Sequence, residues 1–95
     1  MLAPTIHLNG SNPEQMIQDA LSSRRAVEDA IEKLRLVVPN GRDYYPQGND
    51  AAHTAASDYR AMLEKLQSVS SELMEHAQNI DAAMEARNAL LKGAR

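Results

Sequence analysis

The most chemically varied stretch of this chain is the segment 39–50, PNGRDYYPQGND. It holds Tyr44 and Tyr45 side by side, two of the three aromatic residues in the sequence, next to the guanidinium of Arg42. Aromatic faces stack on bases and sugars, and a guanidinium binds phosphate or carboxylate through paired hydrogen bonds. The segment therefore predicts a site for a small anionic ligand, nucleotide-like or a sugar phosphate. The predicted ligand-binding residues are Asn40, Arg42, Asp43, Tyr44, Tyr45, Gln47, Asn49, His53 and Arg60.

The same segment ends where a long helix is predicted to begin, with Asn49 or Asp50 as its N-cap. Backbone N–H groups in the first turn of a helix carry partial positive charge, which favours an anion. A structural explanation competes with binding: the tyrosine pair plugs the open end of a helix bundle, and the Asn and Asp residues form turns. A helix–helix turn requires only about two to five residues, so the length of the segment favours a binding role.

A second polar cluster, HLNGSN at 7–12, lies just before the first predicted helix. Helix capping by Asn12 explains most of it. If two copies of the chain pair head to tail, His7 and Asn9 of one copy would complete the loop site of the other. These two residues are therefore secondary candidates for ligand binding.

The sequence contains no catalytic signature of the HExxH, GxSxG, Walker or GxGxxG type. Ser57, His53 and Asp50 lie on adjacent helical turns, which give a hydroxyl nucleophile no strained, exposed position. Asp50 with His53, and Glu72 with His76, are acid–histidine pairs without the third and fourth ligands of a metal site. We therefore predict a protein that is not an enzyme and that has neither a metal site nor a cofactor.

Charge and hydropathy further limit the kinds of partner that the chain could bind. A net charge of −3 and a pI near 5.5 argue against binding to a nucleic-acid polymer, which requires a basic face. No run approaches the roughly 18 apolar residues of a membrane span, and the N-terminus lacks the pattern of a signal peptide. The chain has no cysteine and is compatible with a reducing compartment. We expect a cytoplasmic protein without a membrane partner.

The elements that must position the loop are helices. Apolar residues make up 43% of the chain but aromatics only 3%, which suits helix packing better than a sheet core. Asn12 as N-cap, Pro13 at the first position and Gln15 three residues after the cap predict a first helix over 13–38, which Pro39 ends. A second, uninterrupted helix is predicted over 50–92, after an extended arm at 1–12. The whole chain is expected to be a single all-α domain.

Apolar residues spaced alternately three and four apart give each predicted helix a heptad seam. Arg24, His76 and Arg87 interrupt the two seams. We attribute them to the specification of register and oligomeric state or to side chains that reach the edge of the bundle, or else to a ligand pocket in the bundle core. The predicted seam of the second helix is Ala52, Ala55, Tyr59, Met62, Leu66, Val69, Leu73, His76, Ile80, Ala83, Arg87 and Leu90.

The two helices are predicted to form an antiparallel hairpin in which the short helix covers the first part of the long one. Residues 77–92 would then project, partly covered by the arm through Ile6 and Leu8. Two helices joined along one seam bury too little area to offset the entropy of ordering the chain. We therefore expect a homo-oligomeric helical bundle, a dimer or larger. The apolar residues expected to be uncovered in one copy are Ile80, Ala83, Met84, Leu90 and Leu91.

The motifs HLNGS at 7–11 and PNGRDYYPQG at 39–48 resemble a family of short proteins encoded by tailed phages and prophages, whose activity is not assigned. In size, helical content and its polar Tyr/Arg loop the chain is also similar to phage sponge proteins that block nucleotide-signalled bacterial immunity. Those proteins are oligomeric helical hairpins that hold a cyclic nucleotide or an ADP-ribose derivative without cleaving it. The similarity implies a non-enzymatic anti-defence protein that sequesters such a ligand in the host cytoplasm. The alternative is a structural or adaptor protein of a phage complex, whose loop docks onto another protein.

Overall fold

The computed structural model of the chain describes residues 1–93 and contains two long helices. Helix α1 spans Pro13–Leu34 and helix α2 spans Ala51–Gly93. Three single 3₁₀ turns, Arg35–Val37, Gly41–Asp43 and Tyr45–Gln47, lie between them. No strand occurs within residues 1–93, so the prediction of an all-α chain is confirmed.

Helix α1 begins where the sequence predicts and ends earlier. The Asn12 side chain accepts a hydrogen bond of 3.2 Å from the backbone N–H of Gln15, and Pro13 takes the first helical position. The α-helix stops at Leu34 and tightens into the 3₁₀ turn that follows, so the predicted end at 38 is wrong. Val38 has φ −54° and ψ 128°, because a residue before proline avoids the α region.

Helix α2 runs without interruption through the serine-rich stretch 68–72, as predicted. It begins at Ala51, one residue after the predicted start. The carbonyl of Asp50 accepts hydrogen bonds from both the backbone N–H and the hydroxyl of Thr54, at 3.0 and 3.1 Å. Neither α1 nor α2 combines the length and apolar character that a membrane-spanning helix requires, within the residues described.

Later residues of α2 lie beside earlier residues of the chain, and earlier residues of α2 lie beside later ones. The Ser70 hydroxyl donates a hydrogen bond of 2.5 Å to the Glu28 carboxylate. Arg87, further along α2, shares a cleft with residues 7–14, while Met62 shares one with Val37. Helix α1 therefore packs against the middle and later part of α2, and the expectation that it covers the first part is wrong. The reason is that residues 37–47 do not turn back tightly but continue beside the first turns of α2.

This offset changes which residues are covered. Ile80 is fully buried, Ala83 and Met84 are half-buried, and Leu90 and Leu91 are exposed. The prediction of an uncovered end is thus wrong for Ile80 and correct for the last two leucines. Within residues 1–93 the buried side chains are Ala20, Ser70, Ala77 and Ile80.

The side of α2 that faces α1 also differs from the seam predicted from the sequence, because it is rotated about the helix axis. Ser70 and Ala77 are buried, and Leu63 and Met84 lie at the same seven-residue spacing and are half-buried. Met62 and Val69, which the sequence places in the seam, retain 44% and 41% exposure. Small side chains at 70 and 77 let the helices approach closely, and the Glu28 carboxylate accepts the hydrogen bond of the buried Ser70 hydroxyl.

The molecule is a rod of 74 × 18 × 17 Å. Its accessible surface is 7402 Å², whereas a folded monomer of this mass exposes about 5400 Å². One copy therefore leaves about 2000 Å² more surface in contact with solvent than a compact chain would.

Candidate functional site

A cleft of about 450 Å³ lies between the loop and the first turns of α2. Two half-buried tyrosines, Tyr44 from the loop and Tyr59 from the helix, line it together. Gln47 and Thr54 add groups that can donate or accept hydrogen bonds. The remaining lining residues are Val37, Pro39, Ala51, Ala55, Asp58 and Met62.

Local hydrogen bonds fold the loop into two consecutive 3₁₀ turns. The Asn40 side chain accepts from the Arg42 N–H at 3.1 Å, and the Asn40 carbonyl accepts from the Asp43 N–H at 3.0 Å. The Tyr44 carbonyl then accepts from the Gln47 N–H at 2.9 Å. Asn40 is thus occupied in shaping the loop, and Tyr44 lies at the junction of the two turns.

The second turn ends at Gly48, which has φ 115° and ψ 171°. Side chains other than that of glycine are essentially excluded from this backbone region. Gly48 is the residue that redirects the chain from the loop into α2, and among residues 1–93 it is the one position with a positive φ.

The two adjacent tyrosines lie in different surroundings. Tyr44 lines the cleft, whereas Tyr45 is 75% exposed and is not among the lining residues. Of the residues predicted for ligand binding, the structure brings Tyr44 and Gln47 together in the cleft. The others lie outside it with exposed side chains: Asn40, Arg42, Asp43, Tyr45, Asn49, His53 and Arg60.

Sequence reasoning missed the helical wall of the cleft. The heptad pattern places Tyr59 and Met62 in the helix seam, and the sequence predicts no site at Thr54 or Asp58. The signal is their spacing: with Ala51 and Ala55 they recur every three or four residues along one side of α2. That face becomes a site because the loop runs beside it.

The cleft of a single copy has a negative lining. Asp58 is the one charged residue among those that line it, while the cations Arg42 and Arg60 lie outside it. A carboxylate in the wall can accept hydrogen bonds from hydroxyl or amino groups of a ligand, but it repels a phosphate. A bound anion must therefore place its charge toward Arg42, or receive a cation from elsewhere.

The secondary cluster lies near the other end of α2. The His7 carbonyl accepts from the Gly10 N–H at 3.1 Å, and the His7 side chain shares a cleft of about 360 Å³ with residues at the start of α1 and with Arg87. Asn9 is exposed and does not line this cleft. Since 28 residues of helix, about 42 Å, separate Tyr59 from Arg87, neither His7 nor Asn9 can join the loop cleft of its own copy.

The polar residues that interrupt the seams are partly enclosed. Arg24 lies 3.9 Å from the Glu28 carboxylate, yet its Nε is buried without a hydrogen-bond partner. His76 Nδ1 is likewise buried and unpartnered. In the described part of the chain, no three side chains of the His, Asp or Glu type converge as a metal site would require.

No protein-family model matches this chain, and no curated protein or solved structure shows significant similarity to it. The resemblance of its two motifs to short phage proteins therefore stays a prediction.

Proposed function

We propose that this protein is a non-enzymatic phage protein that binds and sequesters a small anionic, nucleotide-derived molecule, such as a cyclic nucleotide or an ADP-ribose derivative. The observation that carries the proposal is the pairing of Tyr44 and Tyr59 in one open cleft, with Gln47 and Thr54 beside them. Two aromatic faces and a few hydrogen-bonding groups are what a base or ribose requires.

Each group has a distinct task in this proposal. Tyr44 stacks on the base or ribose, Gln47 donates or accepts hydrogen bonds at its polar edges, and the Asp58 carboxylate accepts them. Arg42, two residues before Tyr44, contacts the phosphate from outside the cleft. Asn40 holds the loop turn that fixes the position of Arg42, through its hydrogen bond to the Arg42 N–H.

The functional unit in this proposal is a homo-oligomer whose protomer is an antiparallel helical hairpin. The excess surface of a single copy and the small number of buried side chains among residues 1–93 support self-association. Light scattering at micromolar concentration tests this part, and a mass equal to that of one chain counts against it.

Thermal denaturation with cyclic dinucleotides, cyclic trinucleotides and ADP-ribose compounds tests ligand binding. A ligand at about 100 times its Kd stabilises the folded state by about 2.7 kcal/mol, so the melting temperature should rise with one of them. The ligand released on denaturation should be chemically intact, because sequestration does not cleave it.

Two variants locate the site. Tyr44→Ala and Arg42→Ala should abolish the ligand-induced rise while the helical circular dichroism signal stays that of the parent protein. Arg25→Ala, which removes an exposed arginine from α1, is the matched control and should keep the rise. If Tyr44→Ala instead unfolds the chain, the tyrosine is a structural plug and the proposal fails.

A second function, that of a phage structural or adaptor protein, is favoured by a separate observation. Large apolar side chains just after α1 and in the loop are exposed, among them Leu36 at 81%, Val38 at 58% and Tyr45 at 75%. Exposed apolar side chains of this kind suit docking onto a protein. The absence of a thermal shift with every nucleotide, together with a stable complex with a defined phage protein that Leu36→Ala and Tyr45→Ala weaken, would support this second function.

A further inference from the structure

Five residues of α2 form a stripe along one side of the helix that is apolar except for its central histidine. Met62, Val69, His76, Ala83 and Leu90 recur at intervals of seven residues, and we call them the outer stripe. Met62 and Val69 are partly exposed, Leu90 is mostly exposed, and His76 and Ala83 are half-buried. A seven-residue apolar repeat on an exposed helix face is the pattern of a coiled-coil contact, so this face fits a second helix.

The members of the outer stripe have the same spacing on both sides of His76. When two such helices are placed antiparallel with the two His76 residues opposite each other, Val69 faces Ala83 of the other copy and Met62 faces its Leu90. We propose that a second copy of this chain docks on the outer stripe in this antiparallel arrangement, with His76 on the twofold axis. The contact is isologous, the commonest kind in symmetric dimers.

His76 lies at the centre of the outer stripe and is half-buried within one copy. Its Nδ1 is enclosed by its own copy without a hydrogen-bond partner, so the second copy meets the part of the ring that stays accessible. A single polar residue within an apolar seam fixes the register of paired helices, which is the role the sequence suggests for this histidine.

One copy has enough excess surface to form an interface of ordinary size. A standard interface removes about 800 Å² from each partner, well within the roughly 2000 Å² by which one copy exceeds a compact monomer. The arm adds to the contact, since Ile6 and Leu8 border an open cleft of about 520 Å³ beside Ala83 and Leu90. The arrangement places Met62 of the second copy over this cleft.

The pairing would also complete the loop cleft, a step that rests on the proposed function. Met62 lines that cleft, so Leu90 of the second copy lies at its edge. The second copy would thus add an apolar side chain to the wall of the cleft beside Met62.

Cysteine cross-linking tests the pairing directly, because the natural chain has no cysteine. Under mild oxidation, Val69→Cys alone and Ala83→Cys alone should stay uncross-linked, whereas their equimolar mixture should form a disulfide-linked dimer. In the antiparallel arrangement the two copies of residue 69 are separated by about 21 Å along the axis, far beyond the roughly 7 Å limit between disulfide Cα atoms. His76→Cys should cross-link with itself.

Two results of this experiment would overturn the proposal. Self-cross-linking of Val69→Cys would show a parallel pair, and a mixture of Val69→Cys and Ala83→Cys without cross-links would show that the outer stripe is not the interface.

A charge placed on the outer stripe provides a second test that needs no disulfide. The parent protein should have twice the mass of one chain by light scattering, and Val69→Lys should halve that mass. Ser68→Lys, on the polar face one residue away, is the matched control and should keep the dimer. A parent protein of single-chain mass, or a Val69→Lys variant of unchanged mass, overturns the pairing.

The experiments distinguish a failure of the antiparallel pairing from a failure of nucleotide binding. Cross-linked dimers that show no thermal shift with any nucleotide keep the pairing and remove the ligand. A nucleotide-dependent shift in an oligomer that does not cross-link through residues 69 and 83 keeps the ligand and removes the pairing.

Discussion

The two parts of helix α2 differ in what they pack against. Residues 63–87 lie against α1 and include every buried side chain of α2 that the structure describes, among them Ala77 and Ile80. Residues 51–62 lie against the loop, include no buried side chain, and border an open cleft. Stability therefore resides mainly in the helix–helix part, while the loop part presents a surface that a ligand or a partner can reach.

The difference arises from the kind of element opposite α2. Helix α1 presents apolar side chains along one face, interrupted at Arg24, so that its stripe and that of α2 can interlock over several turns. The loop instead satisfies its backbone hydrogen bonds within single 3₁₀ turns, as from Tyr44 to Gln47. Because these bonds need no contact with α2, the loop can hold its shape while leaving a cleft beside it.

The largest expected effect of a single change is at Ile80, the one large side chain that is completely buried in residues 1–93. Ile80→Ala should lower the free energy of unfolding by about 2–5 kcal/mol, because it removes buried apolar surface and leaves a cavity. Urea denaturation followed by circular dichroism at fixed protein concentration measures this loss.

The control for Ile80 lies in the 3₁₀ turn that follows α1. Leu36→Ala truncates an exposed side chain and should change the free energy of unfolding by less than about 0.5 kcal/mol. Equal losses in the two variants would mean that the helix–helix part does not hold the stability of the chain.

The existence of the two helices and the start of α1 could be predicted from sequence, because Asn12 and Pro13 set that start by local chemistry. The end of α1 could not, because Pro39 only excludes helix at Val38, whereas the α-helix already gives way to a 3₁₀ turn after Leu34. The offset between α1 and α2 could not be predicted in the same way. It depends on the path of residues 35–47, and a heptad pattern is compatible with more than one offset between the two helices.

Only a small part of the candidate site could be predicted from the sequence. The tyrosine pair marks the loop, and Tyr44 does line the cleft, but composition does not distinguish it from Tyr45. The distinction follows from the position of Tyr44 between the two turns. Tyr59 and Asp58 escaped prediction because a helical residue becomes part of a site only when another segment packs beside it.

A smaller effect is expected at Gly48, within the loop part. Gly48→Ala places a Cβ in a backbone region essentially reserved for glycine, which costs about 1–3 kcal/mol. Gly41→Ala is a closely matched control, because neither glycine has an atom within 4 Å of an added Cβ and only Gly48 has a positive φ. Chemical denaturation should show a loss for the first variant and little change for the second. A similar loss in both would trace the effect to the loop surface and not to backbone strain.

The smallest expected effect compares two asparagines with nearly the same hydrogen bond in the two parts of the molecule. Asn12 accepts from Gln15 at 3.2 Å at the start of α1, and Asn40 accepts from Arg42 at 3.1 Å in the loop. Asn12→Ala should lower the free energy of unfolding by about 1 kcal/mol, because helix capping contributes to the cooperative helix–helix part. Asn40→Ala should leave that quantity nearly unchanged and instead speed amide hydrogen exchange at Arg42 and Asp43, since the loop turn can open locally. If Asn40→Ala destabilises the whole chain as much as Asn12→Ala does, the loop and the helix pair unfold as one unit, and the division of α2 into a stabilising part and a recognition part does not hold.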